Sequence, residues 1–309
     1  MRKFLLIMMA LLVAMTVDAK PKSSELKLRI GTYNIWTHSA RKSQIRKGRT
    51  TEDRNWNNSK QSVAKLITKL NCDIIGMQEV TSVCRDDLME LVKGAKGRRY
   101  SLWWVDTYPN SKKKNVGNGI FYDRKRYKFE QQEIRYFSPT PDKPSSGWDE
   151  KKFIRGALTA VVTHKKSGRK FFFIATHGPL GDIANGHAGR LIVEFEKELN
   201  TEKLPVIVVG DMNANPKMEF YERMCQHFDD CFVIAKKKCG NLGTFNGASE
   251  IEANFKNPNK RIDHIYVRST EKGKVEVSNY VVNRDKLPCG NGLHYPSDHN
   301  PVYVDLKIK

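Results

Sequence analysis

After its first residues the chain has no apolar run long enough to cross a membrane, which needs about 20 consecutive apolar residues. The longest stretch, from Phe4 to Val17, is shorter than that; it follows Arg2 and Lys3 and leads into Val17-Asp18-Ala19. Basic residues, an apolar run and small residues at the cleavage positions read as a secretory signal over 1–19, cut after Ala19. The mature chain is then expected to be secreted or periplasmic, with no stable membrane insertion. Paired CxxC motifs are absent too. Cys72, Cys84, Cys225, Cys231, Cys239 and Cys289 fit no zinc-site spacing, although an exported chain with six cysteines permits up to three disulfides. With no low-complexity tract, visible repeat or Pro/Ser-rich linker, residues 20–309 are expected to form a single domain. Acidic residues are scarce: 34 Asp and Glu against 54 Lys and Arg give a net charge of +20, or +19 once Arg2, Lys3 and Asp18 are removed. Such an excess draws a protein towards polyanions, nucleic acid among them, and it also serves plain solubility. Nothing implies an obligate protein partner.

What the sequence does contain is a series of strand-like runs closed by polar residues. β-Branched and aromatic runs predict strands at 27–36, 73–80, 101–107, 119–122, 133–137, 157–163, 170–176, 205–210, 261–267, 275–282 and 301–308. Helical spacing predicts helices at 59–70, with Ser59 as its cap, and at 85–93, 187–199 and 219–227. So many strands exceed one comfortable open sheet, and two sheets packed face to face with helices outside solve the problem.

At the ends of these runs stand Asn34 after LRIGTY, Glu79 after DIIGMQ, His177 after FFFIAT, and Asp211 and Asn213 around VIVVG. Asp263 follows in RIDHIYV, and Ser297-Asp298-His299 precedes NPVYVDL. Carboxylates, amides and imidazoles sit poorly in a core and well at the rim of a sheet, where α/β folds place ligand sites. Hard oxygen ligands with two histidines point to a divalent-metal hydrolase.

The series GTYNIW, IIGMQEV, THGPL, GDMNANP, RIDHIYV and YPSDHNPV, from about Leu28 to the C-terminus, resembles the endonuclease/exonuclease/phosphatase superfamily. That superfamily includes deoxyribonucleases, abasic-site endonucleases, deadenylases, inositol-polyphosphate phosphatases and bacterial sphingomyelinases. GNGIFYDRKRY, TPDKPSSGWDE and GTFN resemble a secreted bacterial branch. The resemblance implies a four-layer α/β/β/α sandwich of two packed mixed β-sheets flanked by helices.

It also implies roles. Glu79 becomes a Mg²⁺ or Mn²⁺ ligand; position alone would equally allow a strand-end Glu paired with a Lys or Arg. Asn34 lies in the metal and phosphate shell, Gln78 supports it, and Asp298 is placed at a metal. Asp211 and Asn213 project to one side of an extended segment; the resemblance gives Asp211 proton transfer or water positioning and Asn213 a phosphate or the metal. His299 is the base and Asp263 its orienting partner. His177 donates to a phosphoryl oxygen. Where the branch carries a Glu to pair with that histidine, this chain has Asn118, which should lower the imidazole pKa. Arg155 reads either as a fork on phosphate or as a surface salt bridge.

Basic clusters at 41–49, 112–114 and 236–238 read as a phosphate-backbone track or as solvated loops. Of Trp103 and Trp104, one is expected in the core and the other exposed for base stacking. The remaining histidines, at 38, 164, 187, 227, 264 and 294, read as structural. The leading expectation is a secreted metal-dependent nuclease. The alternatives are a phosphoesterase on lipids or small molecules and a catalytically degenerate binding module.

Overall fold

A computed structural model describes residues 25–108, 116–240 and 243–309. The segment read as a secretory signal and the lysines at 112–114 lie outside them. In chain order come β1 (Leu26–Asn34), α1 (His38–Arg46), α2 (Trp56–Leu70), β2 (Ile74–Val80), α3 (Ser82–Leu91), β3 (Tyr100–Asp106), β4 (Gly117–Asp123) and β5 (Tyr127–Tyr136). They are followed by β6 (Gly156–His164), β7 (Lys170–His177), α4 (Asp182–Leu199), β8 (Val206–Asp211), α5 (Glu219–Cys225), β9 (Asp229–Asp230), α6 (Cys231–Ile234) and β10 (Lys237–Cys239). The chain closes with β11 (Asp263–Arg268), β12 (Val275–Val282), the hairpin β13 (Leu287–Cys289) and β14 (Gly292–His294), and β15 (Val302–Ile308).

Two mixed sheets result, ordered β10-β12-β15-β1-β2-β4-β3 and β5-β6-β7-β8-β11-β9. Period-2 alternation puts apolar residues on both faces of each sheet. Ile207 and Val209 of β8 join Ile30, Ile74 and Val304 between the sheets, while Val206 and Val208 face Ile192 and Phe195 of α4. On the far side, Ile75 and Met77 meet Val63, Leu66 and Ile67 of α2. Three apolar layers between four layers of secondary structure give the expected α/β/β/α sandwich.

Several details differ from the sequence reading. Helix α2 starts earlier and is capped by Asn55, whose Oδ1 accepts from Asn58 N at 2.9 Å; Ser59 is buried inside the helix. Helix α1 was not anticipated, because its buried residue is Arg41 rather than an apolar side chain. Trp103 and Trp104 divide between the inter-sheet core and the α2/α3 core, both half-buried, and neither is offered for stacking. All six cysteines are free. No described helix is long and apolar enough to cross a membrane.

Candidate active site

The ends of β1, β2, β7 and β8 and the start of β11 meet at one edge of the sandwich. Register puts Asn34 beside Gln78, His177 beside Asp211, and Asp211 beside Asp263. The strands approach closely there: a Cβ on Gly210 would lie 2.3 Å from the Thr176 carbonyl oxygen, so glycine is required just before Asp211. Above these ends lies a cleft of about 680 Å³, whose lining includes Glu79, Asn118, Arg155, His177, Asp211, Asn213, Asp298 and His299.

Asp211 is the hub. Its Oδ2 accepts from Asn34 Nδ2 at 3.0 Å and lies 3.3 Å from His177 Nε2 and 3.6 Å from His299 Nε2. Its Oδ1 accepts from Asn213 N at 3.0 Å. Burial opposes ionisation, yet the facing His299 and His177 and the Asn34 donor hold this carboxyl far below the usual range. Asp263 Oδ2 accepts from His299 Nδ1 at 2.9 Å and from Thr244 Oγ1 at 2.6 Å. Burial alone would lower the imidazole pKa, but the charges of Asp263 and Asp211 raise it well above its ordinary value. Potential ligand atoms of Asp211, Asp263 and His299 lie within 4.8 Å of one another. The Asp263–His299 hydrogen bond already uses one of those pairs, and Asp211 faces the other imidazole nitrogen at 3.6 Å, so the group reads as a hydrogen-bonded dyad with a facing carboxylate.

Glu79 sits where β2 slips register against β4, between Met77 and Val80, with φ 60°. Asn213 (φ 50°) and Trp36 (φ 58°) share this sparsely populated backbone region, which clusters at functional sites. Glu79 accepts from Asn34 Nδ2 at 3.2 Å and Thr37 N at 3.0 Å. Against burial, the charge of His177 and the Thr37 N–H keep its carboxyl below the ordinary value. Asp298 behaves differently: burial first, and then the charge of Glu79, push it up to about 6. His177 Nδ1 faces Arg155 Nη1 at 2.6 Å. A guanidinium can only donate, so Nδ1 accepts and the imidazole proton sits on Nε2, towards Asp211.

A model of the Endonuclease/Exonuclease/phosphatase family matches residues 31–299. The chain belongs to that family. It is 26% identical to a solved family protein from Bacteroides thetaiotaomicron, with a TM-score of 0.78 over 92% of this chain and 98% of that one. A mannosyl-6-phosphatase from the same organism is also 26% identical, with a TM-score of 0.76 over 90% and 99% of the two chains. The D. rerio TDP2 complex with single-strand DNA product, 19% identical, shares the fold, with a TM-score of 0.64 over 91% and 98%. Family members are typically phosphoester hydrolases and commonly depend on divalent metals, and the chain is a hydrolase of that superfamily.

All ten residues singled out from the sequence reach this edge of the sandwich, some in unexpected contacts. Among the described residues Arg155 is in no surface salt bridge: it bonds His177, and its buried Nε has no partner. Asn118 donates to the Gly156 carbonyl at 3.0 Å. The pKa of His177 is lowered as expected, but by burial first and then by Arg155, not by the missing Glu. Asn34 Oδ1 accepts from Trp36 N at 3.0 Å, and Asn213 Nδ2 donates to the Gly178 carbonyl at 3.0 Å. The triplet at 236–238 does not line the cleft, and Arg41 is buried. Residues the sequence reading missed include Thr244 on Asp263, Phe245, whose ring centroid lies 4.9 Å from that of His299, and the cleft-lining His38. The motif GTFN carries Thr244 and Phe245 and was the available signal.

Proposed function

We propose that this protein is a divalent-metal-dependent phosphoester hydrolase acting on a compact phosphate ester with a sugar-sized leaving group. The single observation carrying the chemistry is the His299 imidazole, held at Nδ1 by Asp263 and presenting Nε2 to the cleft and to Asp211. There it takes a proton from the attacking water, Asp263 fixing the tautomer and supporting the imidazolium that forms. Asp211, held ionised, acts as an acceptor that orients water rather than as an acid. His177 donates from Nε2 to a phosphoryl oxygen, its tautomer set by Arg155, whose guanidinium adds positive charge beside the same anion. Asn213 keeps one amide N–H for that anion.

The residues present fit a hard divalent cation. Glu79 and Asp298 form no ion pair among the described residues, and their mutual repulsion helps hold Asp298 up near 6. Those two carboxylates would hold the ion, with the Asn34 amide beside them and no thiolate in the set. Bound Mg²⁺ or Mn²⁺ supplies Lewis-acid neutralisation of the phosphate.

Substrate class follows from what surrounds the site. The only Lys and Arg side chains lining the cleft among the described residues are Lys47, Lys152 and Arg155, while Tyr108, Phe153, Ile154 and Leu180 give it an apolar side. The volume suits a small ligand, and the likeness to a mannosyl-6-phosphatase supports the same reading. Nucleic-acid phosphodiesters form the second reading, favoured by the net charge of +20 and by the basic triplet Lys112, Lys113 and Lys114 in the sequence. Turnover of a sugar phosphate, an aryl phosphodiester, plasmid DNA and RNA, compared under Mg²⁺, separates them: the first reading requires the sugar phosphate to lead, and preferential cleavage of DNA or RNA would replace it with the second.

A further inference from the structure

Behind the cleft lie two arginines with almost no exposure, Arg41 at 0% and Arg54 at 1%. Neither forms an ion pair among the described residues, and burying an unpaired cation is costly unless its donors are all met. Main-chain carbonyls and one serine hydroxyl meet the donors of Arg41, and carbonyls meet the Nη groups of Arg54, whose Nε has no partner among the described residues. Arg41 Nε donates to the Trp36 carbonyl at 2.7 Å and Nη2 to those of Ile35 and Pro296, each at 2.7 Å. Its Nη1 donates to the Arg54 carbonyl at 2.8 Å and to Ser59 Oγ at 3.2 Å. Arg54 Nη1 donates to Ala248 at 2.6 Å, and Nη2 to Tyr295 and Ser297 at 3.1 and 2.8 Å. Both guanidinium carbons lie 4.8 Å from the Trp36 ring centroid, a cation–π arrangement.

The carbonyls they hold flank the site. Ile35 and Trp36 follow Asn34, and the next residue, Thr37, donates its N–H to Glu79. Tyr295, Pro296 and Ser297 lead directly into Asp298 and His299. Ala248 follows Asn246 and Gly247, whose N–H groups donate to the Asp298 carbonyl at 2.8 and 3.0 Å. Apolar side chains of similar volume would fill this space more cheaply, but only planar forks bind carbonyls from several loops at once.

We propose that Arg41 and Arg54 are positioning residues for the hydrolysis: a buried guanidinium pair that fixes the Asp298–His299 loop against Asn34 and Glu79 and places positive charge behind the site's carboxylates. The inference rests on the roles proposed above for those four residues.

The test uses Arg54→Lys, which keeps the charge but has no fork, and Arg54→Gln, which keeps an amide donor without charge. Leu191→Ala, in the α4 core, is the control for lost stability. For each protein, melting temperature, kcat and KM on an aryl phosphate with Mg²⁺, and hydrogen exchange across 294–300 are measured. A displacement of about 1 Å in a reacting group costs roughly 100-fold. Both Arg54 variants should therefore fold and lose about that in kcat with KM little changed, and exchange across 294–300 should quicken; Leu191→Ala should do neither. Wild-type kcat and exchange in folded Arg54→Lys would overturn the proposal. So would a kcat loss no greater than that of Leu191→Ala, or failure of both Arg54 variants to fold while Leu191→Ala folds. A wild-type protein inactive on every ester would sink the hydrolase reading, leaving the exchange data to decide the clamp.

Discussion

Replacing Asp263 with Asn removes one charge from the centre of the proposed chemistry while changing almost no volume. In the native site Asp263 Oδ2 accepts from both His299 Nδ1 and Thr244 Oγ1, and Oδ1 is buried without a partner. Asparagine has two poses. In one, its oxygen keeps both bonds and its NH₂ enters the unpartnered pocket, so the imidazolium loses its anion. In the other, NH₂ faces Nδ1, which must then accept, and the proton moves to Nε2, where the water should be deprotonated. A hydrogen bond to a charged group contributes about 1.5–3 kcal/mol, and about 1.36 kcal/mol is a decade in rate. The expected loss in kcat is therefore about 10- to 100-fold, with more if the second pose dominates. The pH profile adds an independent signature. The active base is neutral His299, so activity should climb as pH rises through a folded pKa that lies above 6.5. Asp263→Asn removes the largest raising influence and should move that limb to lower pH while lowering the plateau. Steady-state hydrolysis of an aryl phosphate across pH, with Mg²⁺ present, reads both effects. Wild-type kcat with an unmoved limb would refute the pairing.

His299→Ala should lose roughly 10²–10⁴-fold in kcat with its melting temperature little changed at high pH; near-native turnover would end its assignment as base. His299 should also leave a mark on stability. Its raised folded pKa contributes stability present in full below about 6.5 and lost as pH rises through the folded value; chemical denaturation of wild type against His299→Ala over that range shows the difference or its absence. Salt separates the two substrate readings: a small ester makes few phosphate contacts, so KM should change little between about 50 and 200 mM salt, whereas a nucleic-acid track of several contacts would weaken steeply.

Most of the fold was legible because the core is written in runs of period two. VIVVG, FFFIAT and DIIGMQ each place alternate residues on two apolar layers, so strand identity and two-sheet packing follow from pattern alone. That these polar residues would gather at one edge was legible for a related reason: polar groups at strand ends cannot be explained by packing. What escaped the sequence reading was held by non-local contacts. Arg41 looks like one member of a basic run, and only the fold turns it inward onto carbonyls from distant loops. Arg155 gave no sign that it would bond His177, since the two meet only through the β6–β7 pairing. Thr244 reaches Asp263 from a loop whose path no periodicity encodes.

The central claim, a phosphoester hydrolase whose carboxylates hold a divalent cation, is tested most directly by one titration. The purified protein is stripped with EDTA, assayed on the phosphoester panel, and assayed again as Mg²⁺ or Mn²⁺ is returned, with Glu79→Gln alongside. The account predicts no turnover in excess EDTA, saturable recovery with metal, and a weaker apparent metal affinity for Glu79→Gln. Full turnover in excess EDTA, or a metal-loaded protein that hydrolyses no phosphoester, would contradict it.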